Sequence, residues 1–326
     1  VGFVPACSTG GDRAGPATRA AARSSTPSAA PAGGCPVGPP PAAPYAAGRR
    51  HTTFVDPTRG TNGVPARGLA PAPRRTLPVT ILYPAASGAP GTVADGATPA
   101  AGAFPWVLYS HGVLSSGDER NDVLAQWVRA GYVVVAPTYP LSSGTGVEVA
   151  DLPNQGRDVG FVVGRFRAMV AGDDALHTHV RSDCLALAGH SLGAATTMLA
   201  TFDPCCDTTG ARAAVSISGF YAPTAGAPPL GTAPPTPLLV VNGAVDPVVS
   251  IDLGRRSFAE LPGPRWFVTF PTGDHNSMFV PPQSDALDVA VVAFLDAELR
   301  GERGDLRRLP SLLAPAGVAV ESRPGA

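Results

Sequence analysis

Lysine is missing from the chain: all 24 basic residues are arginine. That excludes Schiff-base chemistry on a lysine amine and the phosphate-cradling lysine of a P-loop. Charge of either sign is scarce, at 15% of residues against roughly 25% in ordinary soluble domains, and the formal net charge is −1. Such a balance gives no general electrostatic grip on nucleic acid or an anionic membrane. The five cysteines include no C-x-x-C pair, which leaves out a zinc ribbon, a thioredoxin-type site and a disulfide mini-scaffold. Long hydrophobic runs are lacking too. The stretches Gly131–Pro137, Leu238–Val241 and Val289–Leu295 fall well short of the ~18 apolar residues of a membrane span.

What is present is a chain of 326 residues, 44% hydrophobic, enough for a sizeable core in one α/β domain. The 38 glycines and 37 prolines call for many turns and an irregular segment. That segment lies at 1–48, where Gly, Pro, Ala, Ser and Thr fill 37 positions. It has too little apolar surface to offset its ordering entropy and reads as a disordered leader and linker. Its opening, Val4-Pro5-Ala6-Cys7-Ser8, matches the end of a bacterial lipoprotein signal, which would make Cys7 a lipidation site. The other reading of Cys7 is a free thiol in a tail. Either way the tether suits an exported protein, secreted or held at a bacterial surface by a lipid anchor.

Residues 49–300 alternate strand and helix and read as one α/β domain. Strands are expected at His51–Asp56, Thr76–Tyr83, Trp106–Ser110, Tyr132–Ala136, Cys184–Ala188, Ala213–Ser218, Leu238–Asn242 and Trp266–Phe270. Helical patterns fall at Asp118–Ala130, Gly156–Val170, Ser191–Phe202, Ile251–Leu261 and Ser284–Leu299. This predicts about eight strands in a mostly parallel sheet with helices on both faces. Residues 301–326, polar and then Ala/Pro-rich, read as a loose C-terminal extension.

The most informative stretch is Leu185-Ala186-Leu187-Ala188-Gly189-His190-Ser191-Leu192-Gly193, an apolar strand entering G-x-S-x-G and followed by a helical run. Its chemistry needs a serine on a sharp strand-to-helix turn, with glycines where side chains would clash and helix N–H groups facing developing negative charge. A serine hydroxyl needs a base, and the base an orienting acid, in the chain order Ser, Asp or Glu, His. Only His275 among the six histidines follows Ser191. Asp246, just past the strand Leu238–Asn242, is the favoured acid over Asp252, a helix-start charge, and Asp274, the neighbour of the base. Backbone amides of Leu192 and Val113 are expected to form the oxyanion hole, with His111 holding the Val113 loop. No cofactor and no metal are called for. His177-Thr178-His179 beside Asp173 and Asp174 reads as a solvated loop.

These features resemble the α/β-hydrolase superfamily. Phe104-Pro105-Trp106-Val107-Leu108-Tyr109-Ser110-His111-Gly112, Gly131–Pro137 and Arg157-Asp158-Val159 are similar to platelet-activating-factor acetylhydrolases and dienelactone-hydrolase-like esterases, over roughly Arg49 to Arg300. Dienelactone hydrolases proper use cysteine, so Ser191 points to the serine-esterase side. Ala194 stands where the family has a second glycine after the elbow. The resemblance implies a carboxylic-ester hydrolase working through an acyl-enzyme on short-to-medium acyl esters. Cutinase-type polyester hydrolases share the elbow, triad order and lack of a cap, but usually carry an aromatic at the oxyanion loop, and come second. A binding protein of hydrolase fold without activity is the reading from another class.

The connection Phe220–Thr236 holds five prolines and no amphipathic helix, so no large lid is expected there. Tyr139, Phe220, Tyr221, Met278 and Phe279 are candidate pocket residues. Cys184 opens the nucleophile strand and Cys205-Cys206 follow the next helix, so a disulfide from Cys184 to Cys205 or Cys206 is expected in an exported protein. The chain is expected to meet its ester substrate as a monomer.

Overall fold

The computed structural model describes residues 35, 44–144, 146–206, 209–227 and 229–325. Cys7, and with it the lipidation reading, lies outside them. Among the described residues ten strands form one sheet in the order β10-β9-β8-β7-β6-β4-β5-β2-β1-β3. They are β1 (Ala46–Asp56), β2 (Arg75–Ala85), β3 (Val93–Asp95), β4 (Phe104–Ser110), β5 (Val133–Pro137), β6 (Val180–His190), β7 (Ala213–Ile217), β8 (Leu238–Gly243), β9 (Arg265–Phe270) and β10 (Ala319–Arg323). From β5 through β4, β6, β7 and β8 to β9 every pairing is parallel, while β2 joins β5 antiparallel and β10 joins β9 antiparallel.

The helices are α1 (Asn121–Arg129), α2 (Leu152–Ala171), α3 (Leu192–Phe202), α4 (Ile251–Glu260), α5 (Gln283–Leu295) and α6 (Gly304–Leu313). The two-residue period of the strands divides the core between the faces of the sheet. Val107, Tyr109, Ala186, Ala188, Val215 and Val241 join Trp127 of α1 and Leu287, Val291 and Phe294 of α5. Their neighbours Trp106, Leu108, Leu185 and Leu187 turn the other way, onto Val159, Val163 and Phe166 of α2. Burial on both faces explains why these strands read as continuous apolar runs.

A buried ionic knot ties the antiparallel flank to α2. Arg75 at the start of β2, wholly enclosed, donates to Asp158 at 2.7 Å and to Asp151 at 2.6 Å. Arg59 reaches the same Asp158 at 2.7 Å. Breaking such a set by removing one partner costs about 3–5 kcal/mol, because an unpaired buried charge is left. No helix among the described residues is long and apolar enough to cross a membrane.

Three expectations are corrected. The stretch expected to be a loose extension is ordered over 304–323: α6 buries Leu306, Leu309 and Leu313, and β10 extends the sheet. Pro310 inside α6 and the polar composition of β10, an exposed edge strand, hide both from a reading of apolar pattern. The supposed linker contributes ordered chain, because β1 begins at Ala46 and Cys35 is buried. The disulfides are Cys35–Cys184 and Cys205–Cys206, not Cys184 with either of the latter two. Cys184 faces the α1/α5 side of the sheet, whereas Cys206 lies at Gly156 of α2 on the opposite side. Starting from the same sheet edge is not enough when the sheet stands between.

Candidate active site

Parallel register brings the carboxyl ends of β4, β6, β7, β8 and β9 to one edge, and the loops leaving them converge there. Ser191 stands between β6 and α3 with φ 57° and ψ −122°, a left-handed conformation that costs energy in any residue but glycine. Packing enforces it. A Cβ on Gly193 would run into the Ser110 and His111 carbonyl oxygens, and one on Gly189 into the Gly193 carbonyl. The Ser191 amide is held by the Ile217 carbonyl at 3.0 Å, and its own carbonyl accepts from Ala194 and Ala195. The Ala194 methyl lies against Gly219, so the bulkier residue after the elbow is matched by a missing side chain opposite.

His275 leaves the loop after β9 and sets Nε2 2.9 Å from Ser191 Oγ. Its Nδ1 lies 2.8 Å from Asp246 Oδ2. Burial works to raise the Asp246 carboxyl, but the Val249 N–H, the His275 ring and the Val248 N–H outweigh it, and its pKa falls below the ordinary value. Those two amides approach Asp246 Oδ1 at 2.9 and 2.8 Å, leaving Oδ2 for the ring. The rival acids are engaged elsewhere. Asp274 Oδ1 accepts from the Asn276 and Ser277 amides, which hold its pKa down, and so shapes the turn after His275. Asp252 sits in the first turn of α4, where Ser250 caps its amide.

The Val113 loop passes directly over the elbow: a Cβ on Gly112 would stand 3.3 Å from Ser191 Cβ. His111 fixes this loop from below. Its Nδ1–H donates to the Gly112 carbonyl at 2.6 Å, and its Nε2 accepts the Tyr139 amide at 3.0 Å. Burial lowers the pKa of this ring to about 4, which keeps it neutral. Leu192 is the first residue of α3, where the opening amides have no partner within the helix.

Four of the five pocket candidates are buried. Tyr139 is wholly enclosed with its hydroxyl on Ser110, Tyr221 bonds Asp203, and Met278 belongs to the core. Phe279 is buried with its ring edge-to-face on His190, and only Phe220 is half-exposed. Arg120 and His190 surround His275 although the sequence singled out neither. Arg120 stacks 4.3 Å above Phe279 and donates to Asn276 at 2.8 Å. His190 was visible only as the variable position of G-x-S-x-G. His177 and His179 each bond a carbonyl, of Val170 and Ala100. No group of three metal-ligating side chains is gathered among the described residues.

No protein-family model matches the chain, and no curated protein matches it. Among solved structures, it is similar to a ferulic acid esterase from Streptomyces cinnamoneus determined at 2.4 Å resolution. The TM-score is 0.62 at 21% identity, over 89% of this chain and 99% of that one. The likeness agrees in architecture with the large, mostly parallel sheet flanked by helices, an α/β fold of hydrolase type.

Proposed function

We propose that this protein is a serine carboxylic-ester hydrolase that acts through an acyl-enzyme, with Ser191 as nucleophile, His275 as general base and acid, and Asp246 as the orienting acid. The observation that carries this reading is the unbroken line Asp246 Oδ2–His275 Nδ1, 2.8 Å, and His275 Nε2–Ser191 Oγ, 2.9 Å, at a strained elbow. The likeness to a ferulic acid esterase supports ester cleavage as the reaction class.

In this reading Ser191 Oγ attacks the ester carbonyl while its proton passes to His275 Nε2. The amides of Leu192 and Val113 hold the oxyanion. Collapse of the tetrahedral intermediate expels the alcohol, which takes the proton from Nε2. Water then enters by the same route in reverse, releasing the carboxylic acid and restoring the hydroxyl. Asp246 stabilises the imidazolium through Nδ1–H at each step. No cofactor enters the scheme. The resemblance to acetylhydrolase-like esterases, and a Phe220–Thr236 connection with only one 3-10 turn among its described residues, favour short-to-medium acyl esters. The two disulfides fit an exported protein.

One observation favours polyester chains as a second substrate reading. Val113, Leu114, Val245, Val248 and Val280 are exposed on loops leaving this sheet edge, an apolar rim that an extended polymer would cover. A fluorophosphonate probe should label the wild type and not Ser191→Ala. On a panel of p-nitrophenyl esters Ser191→Ala should lose at least about 10³-fold in turnover with its circular dichroism intact. Activity within about tenfold of wild type would remove Ser191 from the mechanism. An unlabelled wild type would favour a binding protein of hydrolase fold instead. Release of soluble acid from a polyester film separates the two substrate readings.

A further inference from the structure

His190 is a buried ring beside the triad to which the scheme above gives no task. Its Nε2 lies 2.9 Å from the carbonyl oxygen of His275. A carbonyl only accepts, so Nε2 carries the proton and donates it. We propose that His190 is a positioning residue for the base: its Nε2–H, held on the His275 carbonyl, sets the imidazole at its distance from Ser191. The inference rests on the esterase reading for its kinetic consequence, though not for the contact itself.

Covalent neighbours make the clamp effective. His190 and Ser191 are consecutive at the end of β6, so one rigid turn supplies both the nucleophile and the donor that holds the base. His275 is then fixed at three points: Nδ1 by Asp246, Nε2 by Ser191 Oγ, and its main chain by His190. The loop bearing His275 has no regular pairing of its own between β9 and the following turn, and Asp246 restrains only the ring. Without His190 the His275 carbonyl loses a buried donor, and the loop can shift. An error of about 1 Å in the placement of a catalytic group can cost about 10²-fold in rate.

The donor ring is itself braced. Phe279 meets His190 edge-to-face with centroids 4.8 Å apart, and the Arg120 guanidinium covers Phe279 at 4.3 Å. Arg120 also donates to Asn276, the residue after His275. Arg120, Phe279 and His190 thus form a column against the back of the base loop. Burial, with the charges of His275 and Arg120 adding to it, brings the His190 pKa down to about 3, against the pull of the bonded carbonyl and of Asp246. The ring therefore stays neutral while His275 gains and loses its proton, and does not compete for it.

The test compares His190→Phe, which keeps a ring but no donor, with His190→Gln, whose amide nitrogen can take the place of Nε2. His190→Phe should lower kcat about 10- to 100-fold with KM within about twofold. His190→Gln should recover most of that loss. A merely structural role would show as a lower Tm with normal kcat in the folded fraction. Independent of activity, the Nδ1–H resonance of His275 in a Ser191→Ala background should shift and broaden on adding His190→Phe and return with His190→Gln. Where His190→Phe fails to fold, His190→Asn, too short to reach the carbonyl, carries the same expectation. Unchanged kcat and resonance in the donorless variant, or a His190→Gln as impaired as His190→Phe, would overturn the clamp. If the wild type does not react with the fluorophosphonate, the esterase reading fails while the resonance still reads the clamp.

Discussion

Asp246, Asp252 and Asp274 are carboxylates near one another in the chain, told apart by which backbone amides occupy them. Asp246 keeps one oxygen for His275, while Asp274 spends its turn-facing oxygen on two amides and Asp252 serves a helix start. Asp246→Asn should therefore preserve the fold and lower turnover by about 10⁴, because an amide can donate to the ring, favour the wrong tautomer and fail to stabilise the imidazolium. Asp274→Asn and Asp252→Asn should each stay within about tenfold, the latter losing mainly a helix-terminus charge of about 0.3–1 kcal/mol. Turnover of the three variants on one short-chain ester decides the matter, with circular dichroism as folding control. A crippled Asp274→Asn beside a mild Asp246→Asn would transfer the acid role. At this scale the residues placed together by the structure were legible where chemistry restricts the choice. G-x-S-x-G marks one serine, and one histidine follows it. His190 and Arg120 were not legible, since they work through a carbonyl and an aromatic face that any sequence contains.

Among the elements, the central strands declared themselves because both their faces are buried, and α1, α2, α4 and α5 because each carries an apolar stripe, while α3 is buried from Gly193 to Phe202 and shows as a small-residue and apolar run after the G-x-S-x-G turn. The short β3 has three residues, too few to show a period, and α6 is interrupted by a proline, so neither gives a periodic signal. One charged residue sits badly for its element. Asp288 of α5 is largely buried, and burial, with Asp285 and Asp122 adding like charge, pushes its pKa up to about 7 against the pull of Trp127 and Arg129. An unfolded aspartate titrates near 3.9, so between roughly pH 4 and pH 7 the native state binds the extra proton. Stability from this group is then present at low pH and lost as pH rises through 7. Asp288→Asn should be more stable than the wild type at pH 8, by on the order of 1–2 kcal/mol, and gain nothing at pH 4. Urea unfolding of both proteins across that range checks the sign; an advantage that does not grow with pH would mean that the carboxyl is already paired.

For the molecule as a whole, the N-terminal boundary of the fold is the point where composition misleads most. Residues 1–48 read as one uniform tether, yet Cys35 is bonded to Cys184 at a sequence separation of 149, and Ala47 is buried in the core. The covalent link joins the segment before β1 to the middle of β6, the strand that leads into Ser191. Closing a loop of that length restricts the unfolded chain far more than the native one, a stabilisation of about 3–5 kcal/mol. The bond enters β6 at its fifth residue, seven residues before Ser191. Its loss should therefore act on stability and leave the chemistry alone. The double variant Cys35→Ser, Cys184→Ser should lose on the order of 5–15 °C in Tm while turnover at 25 °C stays within about twofold. The double substitution is needed because reductant would also open Cys205–Cys206. Removal of 1–34 should leave Tm nearly unchanged, and removal of 1–48, which takes Cys35 and the first residues of β1, should lower it at least as far as the double variant. Equal Tm values for the two truncations would show that the bond and the head of β1 add nothing, and would restore the boundary at 48.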